Sequence, residues 1–114
     1  MKIEVHTVAT TTPEKLWGKI KKHVVEEEIK TWVVVKDDKG VEYLTHTPPG
    51  GQWYRKALIK ESFLTMPSRL VLTVTWFTDL PVPDEYTKGL YIGRFTEQLM
   101  QDFTKDFIKL ETFA

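Results

Sequence analysis

An α+β domain is the fold that this sequence of 114 residues predicts, with an antiparallel sheet of about five strands and an N-terminal and a long C-terminal helix on one face. Three observations predict it. An alternating first segment runs into a capped helical pattern over residues 2–29, the run from Pro48 to Trp76 reads as two consecutive antiparallel strands, and large apolar residues recur at three- and four-residue spacing near the end. The chain is expected to form one domain over residues 1–114, long enough to bury roughly two-thirds of the surface that its unfolded form exposes.

From Lys2 to Ala9, Ile3, Val5, Thr7 and Ala9 alternate with Glu4 and His6, as in a strand with one buried face. Thr11-Thr12-Pro13-Glu14 then reads as a helix start. A hydroxyl caps the free amides, proline occupies an early position that needs no donor, and glutamate complements the positive helix end. A helix from about Pro13 to Ile29 follows. Its apolar stripe is Leu16, Trp17, Ile20 and Val24, with Val25 and Ile29 wider out, and Lys19, Lys21, Lys22, Glu26, Glu27 and Lys30 belong to the solvated side.

The β-branched run over residues 31–36, the turn Asp37-Asp38-Lys39-Gly40 and the run over residues 41–47 form a hairpin. Pro48-Pro49 excludes helix, and Gly50-Gly51 supplies a turn, so a strand is expected from Gln52 to Phe63. Trp53, Arg55, Ala57, Ile59, Glu61 and Phe63 lie on one of its faces. After a bend at Met66-Pro67-Ser68, Leu70, Leu72, Val74 and Trp76 alternate with Val71, Thr73 and Thr75 in a strand over residues 69–78. The sheet is therefore expected to meander through residues 31–36, 41–47, 52–63 and 69–78.

Beyond Leu80-Pro81-Val82-Pro83, Asp84-Glu85 opens the final helix, with Ile92, Phe95, Leu99, Phe103, Phe107 and Leu110 on its apolar face. Gly89 and Gly93 each weaken a helix by about 1 kcal/mol, which allows the regular part to begin only near Gly93 after an irregular lead-in. Residues 107–114 fit either the end of this helix or an edge strand.

Composition narrows the function. Sixteen acidic and sixteen basic side chains cancel, so no global field draws in nucleic acid or an anionic membrane. The absence of cysteine removes thiolate catalysis, disulfides and zinc-thiolate sites together. The N-terminal residues lack a signal-like apolar core, and no apolar run approaches the roughly 20 residues that span a bilayer, so a cytoplasmic protein is expected.

Thr12-Pro13-Glu14-Lys15-Leu16-Trp17 is similar to the helix start of the START-like superfamily of helix-grip proteins, also called SRPBCC. Gly50-Gly51, Ala57-Leu58-Ile59-Lys60-Glu61 and the run from Pro67 to Trp76 resemble its branch of chaperone-ATPase activators, and the matches cover roughly half the chain. Members usually carry two or three more strands before the last helix, where only Phe77 to Pro83 stands here. The resemblance implies a shortened, curved helix-grip-like sheet, with a homodimer as one way to cover its exposed edge. It also implies a cavity between sheet and C-terminal helix for a hydrophobic or amphipathic small molecule.

Strand parity then gives the expected wall: Trp53, Ile59, Phe63, Leu72, Val74 and Trp76 from the sheet, with Phe95, Leu99 and Phe103 from the helix. For each of these the ordinary role is core. Arg55 and Glu61 share the face of Trp53 and Ile59, where they would orient a polar ligand group, unless they reach water at a sheet end or pair with each other.

No catalytic residue is indicated, and no cofactor is expected. His6, His23 and His46 lie on different elements without metal-site spacing, so no metal is expected either. His23 with Glu27 reads as a surface pair, and His46, sharing a face with Leu44, as a structural histidine. The second reading is a protein-interaction or homo-oligomeric module. The run Glu26-Glu27-Glu28 beside three lysines, with four tryptophans in so short a chain, suits an interface.

Overall fold

The computed structural model describes residues 1–26, 28–47 and 53–114. Their elements, in chain order, are β1 (Lys2–Thr7), α1 (Pro13–Val25), β2 (Trp32–Lys36), β3 (Glu42–His46), β4 (Leu58–Thr65), β5 (Ser68–Thr75), α2 (Glu85–Asp102) and β6 (Phe107–Phe113). The expected glycine turn at Gly50-Gly51, with Pro48, Pro49 and Gln52, lies outside the described residues, as does Glu27.

The α1 start follows the sequence logic: Thr12 is extended, its hydroxyl accepts the Lys15 N–H at 3.1 Å, and Pro13 takes an early helical position. The helix is shorter than the expected reach to Ile29. It stops at Val25 because the amides of Glu28 and Ile29 both fold back onto the His23 carbonyl, at 3.0 and 3.2 Å, which returns Ile29 to the core. In the β2–β3 hairpin, the Asp37 carboxylate accepts the amides of Lys39 and Val41 at 2.8 and 2.9 Å, and Gly40 takes a φ of 82°.

Six strands, rather than the five or so expected, form one antiparallel sheet in the order β2-β3-β4-β5-β1-β6. The order of the four-strand meander is the expected one, and β1 joins its far side between β5 and β6. The sixth strand is the C-terminal segment whose state the sequence left open: Val5 faces Leu110 and Ile3 faces Thr112 across the β1–β6 ladder.

The register places Ile3, Val5, Leu44, Ile59, Leu70, Leu72 and Val74 on one face of the sheet. These side chains form one core with Leu16, Trp17, Ile20 and Val24 of α1 and with Tyr91, Ile92, Phe95 and Leu99 of α2, so both helices cover the same face. Lys19 ties α1 to the α2–β6 connection through Asp106 at 2.8 Å. Among the described residues, no helix is long and apolar enough to cross a membrane.

Further expectations need correction, among them Phe107 and Leu110, which lie on β6 and not on the apolar face of α2. The strand predicted from Gln52 begins only at Leu58, because Trp53 to Lys56 form a turn in which Arg55 takes a left-handed φ of 60°. Helix α2 is regular from Glu85 rather than from Gly93. Asp84 caps it by accepting the Thr87 N–H at 2.8 Å, both glycines lie on its exposed side, and its buried stripe offsets their cost.

Candidate functional site

A cleft of about 610 Å³ opens between α2 and the connection from α1 to β2. One wall is the polar flank of α2, with Leu90, Arg94, Glu97, Gln98 and Gln101 on successive turns, and the other is the segment from Glu28 to Trp32. His46 and Trp53 complete the lining.

The hairpin brings His46 there. Its β2–β3 register sets His46 opposite Trp32, whose ring lies 4.7 Å from the imidazole and meets Tyr91 and Phe95 edge-on at 5.6 and 4.9 Å. His46 is only 6% exposed, and its Nδ1 lies 2.8 Å from the Thr31 carbonyl oxygen. A carbonyl only accepts, so Nδ1 carries the proton and Nε2 is a bare acceptor. That nitrogen has no hydrogen-bond partner among the described residues. Burial pushes the imidazole below its usual 6.5, the Arg94 charge adds to this, and the Thr31 bond and Glu97 oppose it. At neutral pH the ring is therefore uncharged.

A buried polar knot holds Trp53 in place. The Tyr91 hydroxyl donates to the Trp53 carbonyl and touches the Thr45 hydroxyl at 2.9 Å. Thr45 in turn donates to the Ala57 carbonyl at 3.0 Å and accepts the Arg55 N–H at 2.9 Å. Three hydrogens serve these four contacts, so the Thr45–Tyr91 approach competes with the Thr45–Ala57 bond. Strand β3, helix α2 and the turn at residues 53–57 are thereby locked together, and the left-handed Arg55 is held by its own amide.

The residues expected to line a cavity divide into two groups. Ile59, Leu72, Phe95, Leu99 and Phe103 are fully buried in the core, and Val74 packs with them. None of these six lines a described cleft. Of the expected residues, Trp53, Arg55 and Trp76 are those that line a described cleft. Arg55 and Trp76 face a different cleft, of about 510 Å³, together with Asp37, Asp38 and Asp79. There the guanidinium lies 4.5 Å over the Phe77 ring, and Lys88 lies 5.1 Å over Trp76. Arg55 precedes β4, so strand parity does not link it to Glu61, which pairs with Lys60 at 3.5 Å. Phe63, near the tip of the β4–β5 hairpin, is exposed.

No family model, curated protein or solved structure matches the chain.

Topology also gathers Glu4, His6 and Glu111 on the face opposite the helices, with one ligand-type atom of each lying within 4.8 Å of the others. No local pattern marks this group, because β6 brings Glu111 across more than a hundred residues. Lys2 and Arg69 each reach Glu4 at 3.0 Å, Lys109 lies 3.6 Å from Glu111, and His6 bonds Glu111 at 2.7 Å. Three cations already balance the two carboxylates, which makes this an ion-pair network across β5, β1 and β6.

His46 is buried, as its shared face with Leu44 implies, whereas nothing in the sequence marks Arg94 or Gln98. One signal was available: the Asp37–Gly40 turn fixes the hairpin register and so pairs Trp32 with His46. The α2 flank reads as an ordinary solvated helix side, and only the path of residues 28–31 turns it into a wall.

Proposed function

We propose that this domain binds a small amphipathic molecule in the cleft beside α2, at the margin between the sheet and the C-terminal helix. The observation that carries this reading is His46, a largely buried, neutral imidazole whose acceptor nitrogen has no partner among the described residues and is not sealed from solvent, in a cleft that also exposes part of Trp53. A solvent-reachable acceptor beside an aromatic surface is what a ligand's polar group would engage. A four-strand meander joined to β1, with both helices on one face, supports a helix-grip-like arrangement of the START-like kind in our reading. A cysteine-free chain suits a cytosolic setting.

The second reading, a protein-interaction or homodimeric module, draws on a different place. Leu64, Met66 and Phe63 are exposed at the β4–β5 hairpin tip, and edge strand β6 exposes Ile108. Thermal melting against lipids, sterols and aromatic acids, with light scattering on the same sample, separates the two. At 100-fold excess over its dissociation constant a ligand stabilises by about 2.7 kcal/mol, so an upward shift for one chemical class in a monodisperse sample is expected. No shift in any class, with a stable dimer, would favour the interaction module.

A further inference from the structure

The chemistry of the cleft specifies the ligand more closely than its volume does, and this inference rests on the binding reading above. We propose that the cleft selects a flat ring bearing a hydrogen-bond donor for His46 Nε2 and a carboxylate for Arg94.

The donor requirement follows from the tautomer. With Nδ1 committed to Thr31, Nε2 offers a lone pair and no hydrogen, so it rewards a ligand hydroxyl or N–H and repels an ether or carbonyl oxygen. The His46 ring cannot turn to offer its other edge without breaking the 2.8 Å bond to Thr31 and its packing against Trp32 and Tyr91. The preference for a ring follows from Trp53, which lines the same cleft half-buried and is fixed through its carbonyl by Tyr91.

The carboxylate requirement follows from Arg94, since of the three acidic side chains in the lining Glu28 lies 3.0 Å from His23 and Asp102 accepts from Gln98, which leaves Glu97 as the competitor for its guanidinium. Its only described salt bridge is with Glu97 at 3.4 Å, between two well-exposed side chains one helical turn apart. Such a pair contributes little and releases its guanidinium readily to a bidentate carboxylate. A ligand hydroxyl that pairs His46 Nε2 as the cleft closes around it gains what the ether analogue forfeits, about tenfold or more in affinity.

The test uses 4-hydroxybenzoate and its methyl ether, 4-methoxybenzoate, titrated into the full chain by ligand-observed NMR and calorimetry. The wild-type protein is expected to bind the hydroxyl compound about tenfold or more tightly than the ether. His46→Asn keeps an amide hydrogen for the Thr31 carbonyl but lacks the distal acceptor, so it should bind both compounds alike, at the affinity of the ether. Arg94→Ala should weaken both compounds together. Equal binding of the two by wild type, or discrimination that survives His46→Asn, overturns the inference and leaves the ligand-site reading standing. No binding of either compound overturns the inference, and if the wider ligand panel also fails, the ligand-site reading falls with it. Should His46→Asn not fold, the imidazole ¹⁵N signals of wild type decide: Nε2 must move toward a hydrogen-bonded shift with 4-hydroxybenzoate and stay unmoved with the ether.

Discussion

Replacing Thr45 with valine tests the knot that positions Trp53. The two side chains have nearly the same shape, so the change removes a hydroxyl and leaves no cavity. The Ala57 carbonyl then loses its donor at 3.0 Å, and the Arg55 amide loses its acceptor at 2.9 Å. Thr45 and Ala57 are both fully buried, so water does not replace the missing partner. Each orphaned group costs about 1–3 kcal/mol, and a total of about 3 kcal/mol is expected. For a domain of this size that corresponds to a melting temperature lower by about 12 °C. Tyr91→Phe should cost only about 1 kcal/mol, because the Trp53 carbonyl keeps the Lys56 amide at 3.2 Å. Urea unfolding of both variants and of the double mutant measures these costs, and the two should not add, since they share one network. A Thr45→Val variant within about 0.5 kcal/mol of wild type, or a Tyr91→Phe loss exceeding that of Thr45→Val, would refute this reasoning.

Three further outcomes are expected. Gly89→Ala and Gly93→Ala should each stabilise the protein by about 0.5–1 kcal/mol in chemical denaturation, since a Cβ at either position meets nothing within 4 Å and alanine favours the helix. Stability should fall as pH drops below 6.5, because the unfolded chain protonates a histidine that the folded state keeps neutral; His46→Asn should remove that part of the pH profile. Below pH 3.8 a second loss is expected at Asp84, whose carboxyl is held low by hydrogen bonds from the Thr87 side chain and amide; Asp84→Asn keeps a cap and should flatten that region.

Most of the fold was legible because local signals agreed with the tertiary outcome. Thr12-Pro13, the Asp37–Gly40 turn and the alternation of Leu70, Leu72 and Val74 each mark an element that the structure contains. The C-terminal strand was not legible, since seven residues of mixed character acquire their state from pairing with β1. The start of β4 was misread because alternation continues through Trp53 and Arg55 as though the backbone were extended, and a positive φ at a non-glycine residue leaves no mark in the sequence. The site suffered from the same step. Parity projected onto a cavity identifies the face of Ile59 and Leu72 correctly, but α1 and α2 fill the space above that face. The open volume lies beyond the flank of α2, and residues 28–31 define its other wall.

The most direct test of the cleft as a ligand site is an amide and indole ¹H–¹⁵N titration of the intact protein with 4-hydroxybenzoate. Saturable shifts are expected at the Trp53 indole and at the amides of Thr31, His46 and Gln98, with Ile59 and Leu72 unmoved. Saturable shifts confined to residues 63–69 or 107–113, or concentration-dependent association with an unresponsive cleft, would contradict it.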